Sequence, residues 1–301
     1  MGRDLVEAFP LARATFDEAD AAFGGGLSEV CVNGPEDRLA LTEITQPAIL
    51  TMSIAAHRVL EAHGIRPSFV AGHSLGEYSA NVAAGTIRFV DAVAVVRRRG
   101  RYMQEAVPVG SGAMAAILGA DLDTVRRACE EAAEGEVVSP ANINGGGQIV
   151  IAGAAGAVAR ASARARALGA KRAVPLPVSA PFHCALMKPA EERLAPELRA
   201  LRVEDPRVPI VANVDAEPTR SGQAAIEALV RQVSAPVRWE DVVRRLASDG
   251  VTTYVEVGPG AVLGGLVKKI HPGASVLHFG SPDELEAVTA ACSISAEESR
   301  S

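Results

Sequence analysis

Apolar residues recur at helical spacing from Asp4 to Phe23 and again from Gln46 to His63, a 3.6-residue rhythm that predicts two amphipathic helices. Pro47 stands early in the second, where its missing N–H is of little consequence. Pro67 to Ala71 is a short apolar run. It is followed by Gly72-His73-Ser74-Leu75-Gly76 and then the small residues Ser79 to Ala84, so the predicted order is strand, tight turn, helix. A further helix is predicted from Phe89 to Gln104, with Val93, Val96 and Met103 on its apolar face.

From Gly112 the rhythm changes. Met114 to Leu118 reads as a strand, Asp121 to Glu134 as a helix, Val137 to Asn142 and Gln148 to Ala152 as two strands, Ala154 to Leu168 as a helix and Arg172 to Pro177 as a strand. This β-α-β-β-α-β order is that of a ferredoxin-like unit, expected as an insertion over residues 109–177. Beyond it, helices are predicted at Leu186 to Leu201, Ala224 to Val233 and Trp239 to Ser248, with strands at Val208 to Ala212 and Thr252 to Val257. Strands alternating with helices on both sides of the insertion predict one mainly parallel sheet covered by helices. Residues 1–108 and 178–301 are assigned to that larger α/β domain. The small, polar tail from Ala287 to Ser301 is expected to be loose.

The composition narrows the function. With 301 residues, 48% of them hydrophobic, and a net charge of −6, the chain can bury a substantial core and gives no electrostatic reason to expect nucleic acid. Cys31, Cys129, Cys184 and Cys292 are scattered, with no CxxC pair and no His at metal-ligand spacing, which fits a reduced cytoplasmic chain without a metal. The N-terminus MGRDLVEAFP lacks the apolar centre of a signal peptide, and no stretch of 18 or more apolar residues exists. No membrane association is expected.

The run Gly72 to Gly76 fits G-x-S-x-G. A serine on a sharp strand-to-helix turn needs small neighbours two residues before and after, and the turn presents its hydroxyl above the sheet. The following helix N-terminus and the Leu75 amide would then face a developing oxyanion. A chance glycine pair beside a helix-capping serine is the competing reading of the bare motif, and the predicted strand and helix favour the first. A histidine should take the proton from Ser74. His57 and His63 fall on a helix, His271 and His278 near the C-terminus, and His73 within the turn itself. His183 follows a strand end in Ser179-Ala180-Pro181-Phe182-His183, on a loop stiffened by Pro181; a packed or surface histidine is the alternative.

The segments GHSLGEYSA, QEAVPVGSGAMAAILG, PANINGGGQIVIAG, LPVSAPFHCALMKP and VEVGPG together resemble the malonyl-CoA:acyl carrier protein transacylases of fatty acid synthesis, from the first residues to about Gly265. The resemblance implies an α/β-hydrolase-like large domain with a ferredoxin-like insertion. It also implies that Ser74 is malonylated, that His183 is its general base, and that the Gln232 main-chain carbonyl orients the histidine ring without a third acidic residue. Arg99 resembles the arginine that grips the free malonyl carboxylate, a task suited to a planar guanidinium, although three consecutive arginines on a helix otherwise read as a solvated face. Phe182 resembles the bulky residue associated with malonyl rather than methylmalonyl, and Asn142 and Asn144 match a small-domain motif over the cleft, where a plain Asn/Gly turn is an equal reading.

By the same resemblance, malonyl-CoA is substrate, phosphopantetheine is carried by an acyl carrier protein as partner, no cofactor is bound, and the chain is expected to act as a monomer. Arg160, Arg164, Arg166, Lys171 and Arg172 are candidates for meeting an acidic carrier, or simply a solvated face. Family members begin with a buried strand and a glycine-glutamine loop that supplies an oxyanion donor. This sequence enters at the first helix, so the expectation is either a start assigned too late or a truncation that weakens activity. Three rivals follow: a serine esterase, which would need no Arg99; a carrier-binding homologue without catalysis; and a discrete acyltransferase serving a polyketide carrier.

Overall fold

The computed structural model describes residues 1–178 and 180–298, without the side chains of 293–298. Ser179 and the last three positions of the expected loose tail lie outside the described residues. Strands are β1 (Val70–Ala71), β2 (Gly112–Leu118), β3 (Val138–Gly145), β4 (Gln148–Ala154), β5 (Arg172–Pro175), β6 (Ile210–Val211), β7 (Pro218–Thr219), β8 (Thr253–Val257) and β9 (Ser275–Phe279). They form three sheets among the described residues, and the single mainly parallel sheet expected outside residues 109–177 is divided between two of them. In the first, β1 pairs parallel with β6, which pairs antiparallel with β7; β8 and β9 form a separate parallel pair; the third has the order β3-β4-β2-β5 and is antiparallel throughout. β7 and β9 are additional to the predicted strands, and the Pro67 to Ala71 run shrinks to two paired residues.

The expected N-terminal helix divides into Arg3–Ala8 and Pro10–Phe23. Pro10 opens the second segment, and the residue before a proline is sterically pushed out of the helical region; Phe9 is extended, at φ −126° and ψ 115°. The next long helix begins four residues before the expected Gln46, running Thr42–Ala62 with Pro47 inside it. The tail departs most from expectation. Leu285–Glu298 is helical, entered through a capping box in which Ser281 and Glu284 satisfy each other's backbone N–H groups, and Val288 is fully packed into the main core.

That main core joins the helices Pro10–Phe23, Thr42–Ala62, Phe89–Glu105 and Lys188–Arg199 through residues such as Phe16, Leu50, Ile54, Val96 and Leu194. The four-stranded sheet uses its period of two to build two further clusters. Ala115, Ile117, Ile149 and Ile151 face the helices Leu122–Ala132 and Ala155–Ala167. Met114, Ala116, Val150 and Ala152 face the other way, onto Cys184, Phe182 and Leu186. The second face therefore grips the residues on either side of His183.

Candidate active site

Gly72 ends the strand side of the turn because its backbone passes against that of Gly76: a Cβ on Gly72 would lie 2.0 Å from the Gly76 carbonyl carbon. At Gly76 the same atom would meet nothing within 4 Å, so the expectation that both glycines avoid collision holds at Gly72 and fails at Gly76. Between them Ser74 adopts φ 53° and ψ −108°, a conformation that side-chain-bearing residues rarely hold without external support. Asn213, fully buried just past β6, supplies that support. Its Nδ2 donates to the Gly72 carbonyl at 2.7 Å, and its Oδ1 accepts the Ser74 N–H at 2.8 Å.

Ser74 Oγ lies 2.7 Å from His183 Nε2. The other ring nitrogen, Nδ1, is 2.9 Å from the Gln232 main-chain carbonyl, which can only accept, so Nδ1 carries the proton and Nε2 is left as the base. His183 sits at φ 59° and is buried. Burial, and after it the Arg99 guanidinium, pushes the ring down to about 3. It is therefore neutral near pH 7.

Arg99 is buried within the helix Phe89–Glu105 at 2% exposure, not on the solvated face that three arginines suggest; Arg97 and Arg98 turn outward, to the Phe23 carbonyl and to Glu197. Its Nη1 donates to Gln46 Oε1 at 2.6 Å, and its Nη2 to Gln232 Oε1 at 3.0 Å and to Ser74 Oγ at 3.2 Å. Nε has no partner, and no carboxylate lies within ion-pair distance among the described residues. A buried cation held only by neutral acceptors is a poised receptor for an anion.

Three residues of this site were not found in the sequence: Gln46, Asn213 and Glu77. Glu77, 1% exposed in the helix Leu75–Ala83, accepts on Oε2 from the Asn213 N–H at 3.0 Å and from Gln232 Nε2 at 2.7 Å. Desolvation raises its carboxyl to about 7, against the opposing effect of those hydrogen bonds and of Arg99. The G-x-S-x-G-E spacing was the available signal, since it puts position 77 one helical turn past the nucleophile.

The remaining sequence candidates occupy varied places. Leu75 begins the helix that follows Ser74, which leaves its amide among the unpaired first-turn donors. Phe182, half-buried, packs on both the main core and the inner face of the four-stranded sheet. Asn144 Oδ1 meets His73 Nε2 at 2.9 Å, which fastens β3 to the nucleophile turn. Asn142 is buried and lies in a parallel bridge to Val237, where Ile143 N–H donates to the Val237 carbonyl and Val237 N–H to the Ala141 carbonyl. Of the basic candidates, Arg160 pairs with Glu134 and Glu136, and Arg164 with Glu131; Arg166, Lys171 and Arg172 are exposed. Among the described residues no His/Cys/Asp/Glu group could hold a metal ion, and no helix is long and apolar enough to cross a membrane.

Known proteins resemble this chain along nearly its whole length. The malonyl CoA-acyl carrier protein transacylase of Escherichia coli (strain K12) is 51% identical over 285 residues, covering 94% of this chain and 92% of that protein; that of Bacillus subtilis is 47% identical over 287 residues, 95% and 90%. An acyl carrier protein S-malonyltransferase from Vibrio cholerae superposes with a TM-score of 0.94 at 45% identity, covering 96% of this chain and 94% of that one. A malonyl-transacylase solved in complex with its type II PKS acyl-carrier protein gives a TM-score of 0.94 at 47% identity, with the same coverage. The profile of the acyl transferase domain matches residues 1–276, and the chain belongs to that family.

Proposed function

We infer that this chain is an acyltransferase that moves a malonyl group from malonyl-CoA to the phosphopantetheine thiol of an acyl carrier protein in fatty acid biosynthesis, through a malonyl-Ser74 intermediate. One observation carries the assignment of roles: Ser74 Oγ is shared between His183 Nε2 at 2.7 Å and the buried guanidinium of Arg99 at 3.2 Å. An esterase has no use for a buried cation beside its nucleophile. An acyl group that ends in a carboxylate does, because the guanidinium offers it two parallel charge-assisted bonds.

In the first half-reaction the malonyl carboxylate pairs with Arg99 and the thioester carbon meets Ser74. As the Oγ–C bond forms, the Oγ proton passes to His183 Nε2, and the carbonyl electrons move to an oxyanion that accepts the Leu75 N–H. Collapse breaks the C–S bond, and the departing CoA sulfur takes the proton from Nε2. In the second half-reaction the carrier thiol gives its proton to Nε2 and attacks the ester carbon. The C–Oγ bond breaks, and Ser74 recovers the proton. Throughout, the Gln232 carbonyl holds the Nδ1–H and so keeps the basic nitrogen on the serine. Phe182 is assigned the role of crowding the malonyl α-carbon, a modest filter because one methyl is worth about 1–3 kcal/mol. Asn142 and Asn144 are assigned to the cleft wall.

The fold assignment belongs to the same reading. Residues 109–177 form a ferredoxin-like insertion: the order β3-β4-β2-β5 places β4 between β2 and β3 and places β2 between β4 and β5, so each β-α-β unit is split by a strand of the other. Residues 1–108 and 178–301 form an α/β-hydrolase-like unit, supported by the parallel β1–β6 pair beneath the nucleophile turn.

Intact-protein mass spectrometry after mixing with malonyl-CoA tests the proposal. The expected result is a single malonyl adduct that Ser74→Ala abolishes and that holo carrier protein discharges. A persistent adduct in the variant would refute the assignment. The similarity to a transacylase that serves a polyketide carrier makes carriers of both pathways the acceptors to compare.

A further inference from the structure

Glu77 is a buried carboxylate for which the reaction above has no use, and leaving such a group in a core is unfavourable unless its bonds do something. Its partner Gln232 shows what they do. The Gln232 side-chain amide lies between Glu77 Oε2 and Arg99 Nη2, with Nε2 toward the carboxylate at 2.7 Å and Oε1 toward the guanidinium at 3.0 Å. Turning the amide over would set its oxygen against Glu77 Oε2, which already accepts the Asn213 N–H, and its NH2 against the cation, two repulsive contacts in place of two hydrogen bonds. The same Nε2 also donates to the Ser74 carbonyl at 2.9 Å. With Gln46 holding Nη1 and Gln232 holding Nη2, the guanidinium is fixed at both ends.

Resting on the assignment of Arg99 to the malonyl carboxylate, we propose that Glu77 is a positioning residue for acyl selection: by accepting from Gln232 Nε2 it locks that amide with its oxygen toward Arg99 and so aims the guanidinium at the incoming carboxylate. Because a non-carboxylated acyl group does not use Arg99, the effect is specific to malonyl. A residue that merely filled the core would lower malonyl and acetyl transfer together.

The experiment compares kcat/KM for malonyl-CoA and acetyl-CoA, with holo acyl carrier protein as acceptor, in five variants of the full chain. Glu77→Ala frees the amide and should lower the malonyl-to-acetyl ratio between about 10- and 100-fold. Glu77→Gln still presents an oxygen to both N–H donors, so it should restore the ratio to within about threefold of the parent. Gln232→Met removes the amide but keeps the main-chain carbonyl on His183; it should lower the ratio like Glu77→Ala and serves if that variant does not fold. In an Arg99→Ala background, Glu77→Ala should change the ratio no further. A ratio that stays constant in Glu77→Ala or Gln232→Met, or a Glu77→Gln ratio as low as that of Glu77→Ala, overturns the proposal. Arg99→Ala alone separates the two readings: if it leaves the ratio unchanged, the assignment of Arg99 itself fails, whereas a fall there with none in Glu77→Ala removes only the role of Glu77.

Discussion

Replacing Arg99 with alanine probes the site at its most informative point. The guanidinium has three neutral acceptors, an unpartnered Nε and no carboxylate in contact, so its binding capacity is directed at the substrate. Two charge-assisted hydrogen bonds to the malonyl carboxylate, at about 1.5–3 kcal/mol each, sum to about 3–6 kcal/mol. At about 1.36 kcal/mol per decade, that is a loss of about 10² to 10⁴ in kcat/KM for malonyl-CoA. Acetyl-CoA should change less than about threefold, since Ser74 and His183 remain. Stability should move little: the variant loses an uncompensated buried charge but orphans the Gln46 and Gln232 side-chain oxygens, at about 1–3 kcal/mol each. Arg99→Lys, which keeps the charge but not the planar fork, should fall between parent and alanine. Stopped-time transfer assays with both donors, run beside a thermal melt, decide the matter. A malonyl loss below about tenfold, or an equal loss for acetyl in a folded protein, would refute the assignment.

Three further outcomes are expected. Free His183 is held neutral down to about 3, so inactivation of Ser74 by an uncharged phosphonofluoridate should be flat between about pH 5 and 8 in Glu77→Gln, which removes the carboxyl that titrates near 7; an inflection near the ordinary histidine value in that variant would contradict the desolvated environment. Its folded-state value lies below its unfolded one, so its contribution to stability is complete above about 6.5 and is lost as the pH falls toward 3. Gly72→Ala should abolish acylation and lower Tm, because the new methyl overlaps the Gly76 backbone. Gly76→Ala points into open space and should leave the melt unchanged, so equal Tm losses in the two variants would contradict the turn geometry.

Ser74 and His183 were legible as candidates because each sits in a contiguous motif, whereas Arg99 and Gln232 sit in none. The roles of Arg99 and Gln232 came from family resemblance rather than from local chemistry. Helical periodicity alone placed Arg99 in a run of three arginines and could not tell which one faced inward. Asn213 and Gln46 gave no signal at all: they are 139 and 28 positions from Ser74, and only the parallel alignment of β6 with β1 and the packing of two long helices bring them to it. Pattern reading found the runs that hold β1 and β6 but overstated their length, since only two residues of each are paired; β7, with two residues of its own, is too short for a period to show. The tail was misread because its small and polar residues hid an apolar face, on which Val288 is buried and Leu285 and Cys292 pack against the main core.

The way β3 is fastened has a consequence for how the protein could be cut or recombined. Residues 141–144 grip the chain at Val237 through two main-chain bonds and His73 through Asn144, while the opposite side of the same sheet seats Phe182 and Cys184. The smaller unit is thus a buttress packed against the Ser74 turn through His73, the chain at Val237 and the residues on either side of His183. Excising it would unseat all three at once, so chimaeras that exchange this unit between acyltransferases should retain activity only when the matching 235–238 stretch travels with it.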